Sequence, residues 1–400
     1  MKLVYLSLAR IPSEKAQSNQ IMKFCSALVS KGLEVTLIVP KRWHQSKEMR
    51  AQHSPNIFSY YGVNPFNFRQ LPCIDLLEVT PYIVQRLLAF PLYCASFLFA
   101  LFFFLLLRDT ADIYYVRDYP TASLLRLIAL FKKIRVVFEL HSLHPHSIFF
   151  LLALSKRFSY VVLTHATRER LSKLAGIRPE RILVAHDAVD ERVLSFSEPS
   201  VTTKERLGLP DKKIIGYIGR FHTLGMEKGL ETLIQAMQIV LRKFPETMLC
   251  LVGGPKEMIP GYTTLAAKLG MNEKLLVFDY VVPAEVKQFI NSFDVCVIPF
   301  PWTEHFAYYA SPLKLFEYMA AGKPIVATGL PSIREILQDG TSAVLVRPSD
   351  SESLANGILR VLTDEALAKK IGENAKKEVM QKYTWEKRAR AVLGFIEGDA

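Results

Sequence analysis

Two blocks in the second half of the chain carry side chains whose types and spacing suit chemistry on an anion. The first is Ile214–Leu230, IIGYIGRFHTLGMEKGL. An apolar strand runs into Gly219, Arg220 follows, and Lys228-Gly229 comes eight residues later, ahead of an expected helix Leu230–Phe244. A glycine lets backbone approach a phosphate closely, a guanidinium grips two phosphate oxygens at once, and a lysine adds a mobile positive charge. The block has neither the lysine of a Walker loop nor a GxGxxG, which weakens ATPase and ordinary dehydrogenase readings. The bland alternative is a strand-to-helix turn with solvent-facing basic residues.

The second block is Ser311–Ile325, SPLKLFEYMAAGKPI. Ser311 reads as a helix N-cap and Pro312 as the first helical residue. Free N–H groups at Leu313 and Lys314 would then point at an anion, aided by the helix dipole. Glu317 lies one turn further on. A carboxylate there suits two adjacent ribose hydroxyls better than a phosphate, unless it is simply a solvated acid on an ordinary helix. Gly322-Lys323-Pro324 ends the helix and feeds the next strand.

These residues need a scaffold, and the composition allows one. The chain has 400 residues, half of them apolar and 22% charged, enough for two domains with proper cores. Its net charge of +12 is uneven: residues 1–200 hold 25 basic and 15 acidic side chains, residues 201–400 hold 25 and 23. The first half is therefore the one that seeks an anionic partner. It has no long Lys/Arg run, so a membrane surface or phosphorylated substrate is expected rather than nucleic acid. Five cysteines (Cys25, Cys73, Cys94, Cys250, Cys296) form no CxxC pair, which argues against a disulfide framework or zinc site and for a reducing compartment. Lys2–Leu8 reads as a buried first strand rather than a signal peptide, because Arg10, Pro12, Glu14 and Lys15 interrupt the apolar run.

The organisation is rhythmic. Strand-like runs at Leu3–Leu8, Glu34–Val39, Ile113–Val116, Arg135–Glu139, Tyr160–Leu163 and Ile182–Val184 alternate with helical patterns such as Asn19–Lys31. Ser195–Lys213 is polar with two prolines and reads as a linker with a short helix. The rhythm restarts at Ile214–Ile218, Thr247–Val252, Leu275–Phe278, Asp294–Ile298, Pro324–Ala327 and Ala343–Val346. This predicts an α/β protein of two doubly wound Rossmann-like domains facing a central cleft, with ligands at the carboxyl ends of the strands. The expected divisions are 1–195, a linker 196–212, a second domain 213–382, and a helix 383–400 that crosses back to the first.

Leu87–Leu107 (LLAFPLYCASFLFALFFFLLL) stands apart. It carries no charge over 21 residues and is flanked by Arg86 and Arg108. As a helix it would be about 32 Å long, enough to cross a bilayer core. A span, a helix lying on the membrane and a buried helix all compete. Strand-like segments of one sheet on both sides argue against a span, and nearby basic charge favours attachment to anionic lipid.

Taken together, Arg220 with Lys228-Gly229, SPLKLFEYMAAGKPIVAT and Gly340 before an apolar strand resemble the donor domain of the retaining glycosyltransferases of family 4, which have the GT-B fold. Arg10–Pro40, Glu139–His141 (ELH) and Ala185–Leu194 (AHDAVDERVL) resemble the front of the same family. The resemblance implies that Arg220 and Lys228 hold the donor diphosphate beside Gly219 and Ser311, that Leu313 and Lys314 add backbone contacts, and that Glu317 holds the ribose. It implies that His141 approaches the transferred sugar and that a loop Ala16–Asn19, here with Ser18-Asn19 where the family often has glycine, faces the pyrophosphate. One departure stands out. The family usually carries Glu-x7-Glu ending at the position of Glu317, and the first position here is Tyr309. That first acid normally touches the transferred sugar; Glu304, thirteen residues before Glu317, is an alternative acid on the preceding loop.

The implied activity is transfer of a sugar from a nucleotide-sugar donor to a hydroxyl of a lipid-linked glycan or glycolipid, with retention, in cell-envelope polysaccharide biosynthesis. No cofactor and no metal are expected, since no Asp-x-Asp pair suited to a metal is found and the basic residues can neutralise the diphosphate. The expected location is cytoplasmic, peripheral or monotopic on the cytoplasmic face of the membrane. A sugar-nucleotide epimerase of the same fold, or an inactive nucleotide-sugar-binding partner protein at the membrane, are the rival readings.

Overall fold

The computed structural model describes residues 1–13, 15–42, 56–77, 79–107, 111–145, 147–190 and 199–398. Glu14, Arg108, the end of Ala185–Leu194 and the start of the expected linker lie outside them. The chain forms two compact units, Met1–His186 with Trp385–Ala400, and Asp187–Thr384.

The first unit is built on seven parallel strands: β1 (Lys2–Leu6), β2 (Glu34–Pro40), β3 (Asn67–Leu71), β4 (Ile113–Val116), β5 (Val136–Leu140), β6 (Ser159–Val162) and β7 (Ile182–Val184). Their order is β3-β2-β1-β4-β5-β6-β7. Every residue of β4 and β5 is buried, as expected for strands covered by helices on both faces. The winding reverses between β1 and β4, where the loops leaving the two strands part. Asp118 holds that point: it accepts from Leu8 N–H at 2.9 Å and caps the helix Tyr119–Ile128 through Thr121 N–H at 3.1 Å. β3 was not foreseen, because NFRQL is a mostly exposed edge strand without an apolar pattern.

The helix Trp385–Gly398 packs on the helix Ala16–Ser30 in this unit. Lys31 meets Glu386 at 2.8 Å, and Arg388 Nε donates to His186 C=O at 3.0 Å.

The apolar run forms one helix from Gln85 to Leu107, starting with a π-turn over Gln85–Ala89. It is not a buried helix. Tyr93, Cys94, Phe97, Leu101 and Leu105 make the inward stripe, while Leu87, Leu88, Phe90, Phe99 and Leu107 are exposed. Helices Tyr119–Ile128 and Ile148–Ala153 pack in series beside it. They add exposed Leu127, Ile148, Phe149, Leu151 and Leu152, and Leu130 and Phe131 follow the first of them.

The second unit has six parallel strands: β8 (Ile214–Ile218), β11 (Met248–Val252), β12 (Leu275–Phe278), β13 (Val295–Ile298), β14 (Ile325–Thr328) and β15 (Val344–Val346), in the order β12-β11-β8-β13-β14-β15. A hairpin of β9 (His222–Thr223) and β10 (Met226–Glu227) turns through Leu224 and Gly225, both at positive φ. The polar stretch read as a linker belongs here in part. Its helix Ser200–Arg206 packs on the helix Pro283–Ser292, and buried Lys204 reaches Asp294 at 3.0 Å and Lys212 C=O at 2.8 Å.

The winding reverses between β8 and β13. There the buried Tyr318 hydroxyl accepts Ile218 N–H at 3.0 Å, and Tyr217 donates to Arg220 C=O at 2.8 Å. Tyr318→Phe leaves a buried N–H without its acceptor. It should cost the second unit about 1–3 kcal/mol, read as a lowered denaturation midpoint.

Candidate functional site

The strand order puts the first block at the switch point of the second unit. β8 delivers Gly219 and Arg220 at its carboxyl end, and β13, its neighbour, delivers Pro299 and Phe300. Such a crevice is where open α/β sheets bind ligands. Two glycines make the close packing there. Gly229 sits at φ +82°, and a Cβ on it would lie 1.7 Å from Pro299 O. Gly219 sits at φ +121°, and a Cβ on it would lie 2.9 Å from Lys314 Nζ.

Three cations meet at this crevice. Lys228 Nζ lies 5.9 Å from the centroid of the Phe300 ring. Lys314 Nζ lies 3.5 Å from the Tyr217 ring and 5.8 Å from the same Phe300 ring. Arg220 makes no ion pair among the described residues. Burial first, then the charge of Arg220, lowers the Lys228 ammonium to about 8. Burial first, then Lys228, holds Lys314 well below its ordinary value, against the pull of Glu317. Lys314 is 8% exposed, and its Nζ has no hydrogen-bond partner among the described residues. Sequence reasoning assigned Lys314 a backbone contact only. The signal for its side chain is a lysine at a position of the helix whose neighbours Leu315 and Phe316 are core.

The helix Leu313–Ala320 differs at its start from expectation. Pro312 occupies the N-cap position, and Ser311 is not the cap; its Oγ accepts the Asp187 N–H at 2.8 Å. Pro312 has extended backbone (φ −77°, ψ 122°), so the first turn begins one residue later than the Ser-Pro pattern suggests. Hydrogen bonding starts with Leu315 N–H to Pro312 C=O at 2.9 Å, and the N–H groups of Leu313 and Lys314 precede it. Glu317 is half-buried one turn on. Tyr309 is buried, with its hydroxyl 3.2 Å from Glu304 Oε1.

Glu227 was not foreseen. Its carboxylate accepts Gly229 N–H at 2.5 Å and Leu230 N–H at 2.6 Å, so the N-terminus of the helix Leu230–Lys243 already holds an anion. The phosphate-binding potential of this unit therefore lies with the three cations and the helix Leu313–Ala320.

In the first unit, Ala16–Asn19 is not a loop but the first turn of the helix Ala16–Ser30. Ser18 is buried with its Oγ 2.6 Å from Ser13 Oγ, and Asn19 Oδ1 is buried without a hydrogen-bond partner among the described residues. His141 follows β5. Its Nε2 lies 2.7 Å from Glu139 Oε1, which also accepts from Gln20 Nε2 at 3.1 Å. Burial, then the charge of Arg117, lowers His141 to about 4.

Residues 201–378 match the family model of glycosyl transferases group 1, and residues 17–193 match that of Glycosyltransferase Family 4. The chain belongs to this family of glycosyltransferases, in the GT-B fold class. It is 28% identical over 237 residues to an uncharacterised glycosyltransferase of Methanocaldococcus jannaschii, covering 58% of each chain. It is 25% identical over 235 residues to an alpha-D-kanosaminyltransferase of Streptomyces kanamyceticus, again 58% of each. These matches span little more than half the length of the curated relatives. Sucrose-phosphate synthase of Thermosynechococcus elongatus shares the fold with a TM-score of 0.75 over 100% of this chain and 99% of its own, at 18% identity. Anabaena HepE, solved with UDP and glucose, aligns over 100% of both chains with a TM-score of 0.72 and 16% identity.

Gly229→Ala should destabilise the second unit by about 2 kcal/mol or more, since it adds positive-φ strain to a clash with backbone. A melting temperature equal to that of the unaltered protein would contradict the close approach to Pro299.

Proposed function

We propose that the protein transfers a sugar from a nucleoside-diphosphate sugar to an acceptor hydroxyl with retention of configuration. The observation that carries this reading is the cluster of Arg220, Lys228 and Lys314 at the switch point of the second unit. Three like charges held together repel one another and lose hydration, and a diphosphate relieves both costs. As the glycosidic bond breaks, negative charge grows on the leaving diphosphate. Arg220 and Lys228 stabilise it, with the N–H groups of Leu313 and Lys314 beside them, and no metal is needed on this reading. Glu317 takes the ribose hydroxyls. The UDP complexes of HepE support a nucleotide donor of this kind.

Neutral His141 serves the transferred sugar as a hydrogen-bonding group. Glu304 with the Tyr309 hydroxyl is the pair available in place of the missing first acid.

The acceptor is a lipid-linked glycan or glycolipid for cell-envelope polysaccharide, and the protein works on the cytoplasmic face of an anionic membrane. The apolar surface of the first unit supports this. Exposed Leu87, Leu88, Phe90 and Phe99 are joined by Leu130, Phe131, Ile148 and Leu151, a concentration of exposed apolar side chains of the kind that marks an interaction surface. Basic side chains border it in sequence: Arg86, Lys132, Lys133, Lys156 and Arg157. The helix Gln85–Leu107 lies on the membrane rather than across it, because β3 before it and β4 after it share one sheet.

A second reading is a donor-binding protein without transferase activity, which Tyr309 in place of an acid favours. Retained nucleotide-sugar binding with neither hydrolysis nor transfer across an acceptor panel would support it. Conversion of the donor sugar without acceptor would instead indicate an epimerase.

Arg220→Ala and Lys228→Ala should each lower kcat by on the order of a hundredfold. Wild-type turnover in both would sink the assignment. Glu317→Ala should weaken nucleotide binding about tenfold by calorimetry, and unchanged affinity would remove its ribose role. The protein should float with vesicles of phosphatidylglycerol at low salt, and Leu87→Ser with Phe90→Ser should abolish flotation. Sedimentation of the unaltered protein away from the vesicles would rule out the membrane surface.

A further inference from the structure

Glu139 is one of the most enclosed acids of the first unit, 1% exposed. Its two oxygens are fully engaged. Oε1 takes His141 Nε2 at 2.7 Å and Gln20 Nε2 at 3.1 Å; Oε2 takes the Tyr115 hydroxyl and lies 3.1 Å from Arg388 Nη2. Arg388 comes from the last helix of the chain and is itself 4% exposed. Its guanidinium carbon lies 4.6 Å from the centroid of the Phe24 ring, and its Nε holds His186 C=O at 3.0 Å. Arg117 supports the same group from β4's end by donating to Gln20 Oε1 at 2.8 Å.

The proton logic follows from these contacts. Burial alone would raise the Glu139 carboxyl, but Arg388, the His141 hydrogen bond and Arg117 outweigh it and hold it well below its ordinary value. Glu139 is thus an anion, able only to accept. His141 must then donate its Nε2–H to Glu139, and Nδ1 is left as the acceptor of the ring. The other titratable groups facing this centre, Tyr5, Tyr115 and Cys25, are raised by burial and stay neutral.

We infer that Arg388 is a positioning residue of the active centre: the terminal helix fixes, through Glu139, the tautomer and orientation of His141. The inference rests on the reading that His141 meets the transferred sugar. It makes the last helix a part of the catalytic apparatus, and not only a structural strap.

The test is long-range proton–nitrogen NMR on the full chain labelled with 15N-histidine, with the His141 signals assigned by their loss in His141→Gln. The unaltered protein should show one neutral Nε2–H tautomer that does not protonate above about pH 5. Arg388→Met should give a mixed tautomer and move the midpoint of His141 upward, since a nearby positive charge is lost. It should also lower kcat by at least about tenfold with little change in donor KM. Arg388→Lys should restore the single tautomer and part of kcat, because it returns the charge. Should Arg388→Met fail to fold, Arg388→Gln removes the same charge from the same place, and it should also give a mixed tautomer. An unchanged His141 tautomer and midpoint in the variant that folds would overturn the inference. Full activity in His141→Ala would instead overturn the sugar-contact reading and leave the coupling to be judged by NMR alone.

Discussion

Positive charge held in a confined, poorly hydrated place is the constraint around which the second unit is arranged. Lys314 lies beneath Gly219 against the Tyr217 ring, at the one level of the sheet where β8 and β13 part. An ammonium there loses most of its hydration, and the faces of Tyr217 and Phe300 return only part of it. The surrounding choices follow. Position 219 favours glycine because its φ is +121°, position 229 must be one to clear Pro299, and Tyr318 must hold the end of β8. On the proposed function, this crevice is preorganised for an anion.

The first unit solves the mirror problem. Its buried charge is an acid, Glu139, and the chain surrounds it with Arg388, Arg117, Gln20, Tyr115 and His141. Breaking such a group by removing one partner leaves an uncompensated charge in the core. The cost explains why a helix from the far end of the sequence is anchored here by a guanidinium and not by apolar contacts alone. A buried lysine whose charge is disfavoured and a buried carboxylate held as an anion therefore set the local geometry of the two units, each in its own sheet.

The sheets were legible in the sequence because buried parallel strands read as short apolar runs, and twelve of these runs fall on observed strands. β3 escaped because an exposed edge strand needs no apolar pattern. Arg220 and Lys228 stand out in the sequence as basic residues beside glycines after a strand, and the structure places both near the carboxyl end of β8. Lys314's side chain, Glu227 and Arg388 do not stand out in this way. Lys314 and Arg388 depend on what lies across a fold from them, a ring and a carboxylate far away in sequence, whereas Glu227 caps the amides of Gly229 and Leu230 two and three residues on, in a turn whose shape the sequence alone does not reveal. The helix starts at Leu313, one residue later than the Ser-Pro pattern suggests, since Ser-Pro suits either a cap or the turn before one, and Ser311 is spent on Asp187. Whether Leu87–Leu107 was buried could not be read from a run that is apolar on every side; the structure divides it into an inner and an outer face.

The central claim is that the three cations await a nucleoside diphosphate, and proton-linked calorimetry tests it most directly. A diphosphate stabilises the charged forms of Lys228 and Lys314, whose affinity for protons is depressed while the site is open. Titration of the full chain with UDP, GDP and ADP at pH 8, in phosphate-free buffers of low and high ionisation heat, should show one nucleotide binding with net uptake on the order of one proton. The affinity should fall as pH rises above about 8, where the free site has lost the Lys228 charge. Tight binding with no proton uptake and no loss of affinity at high pH would contradict the account.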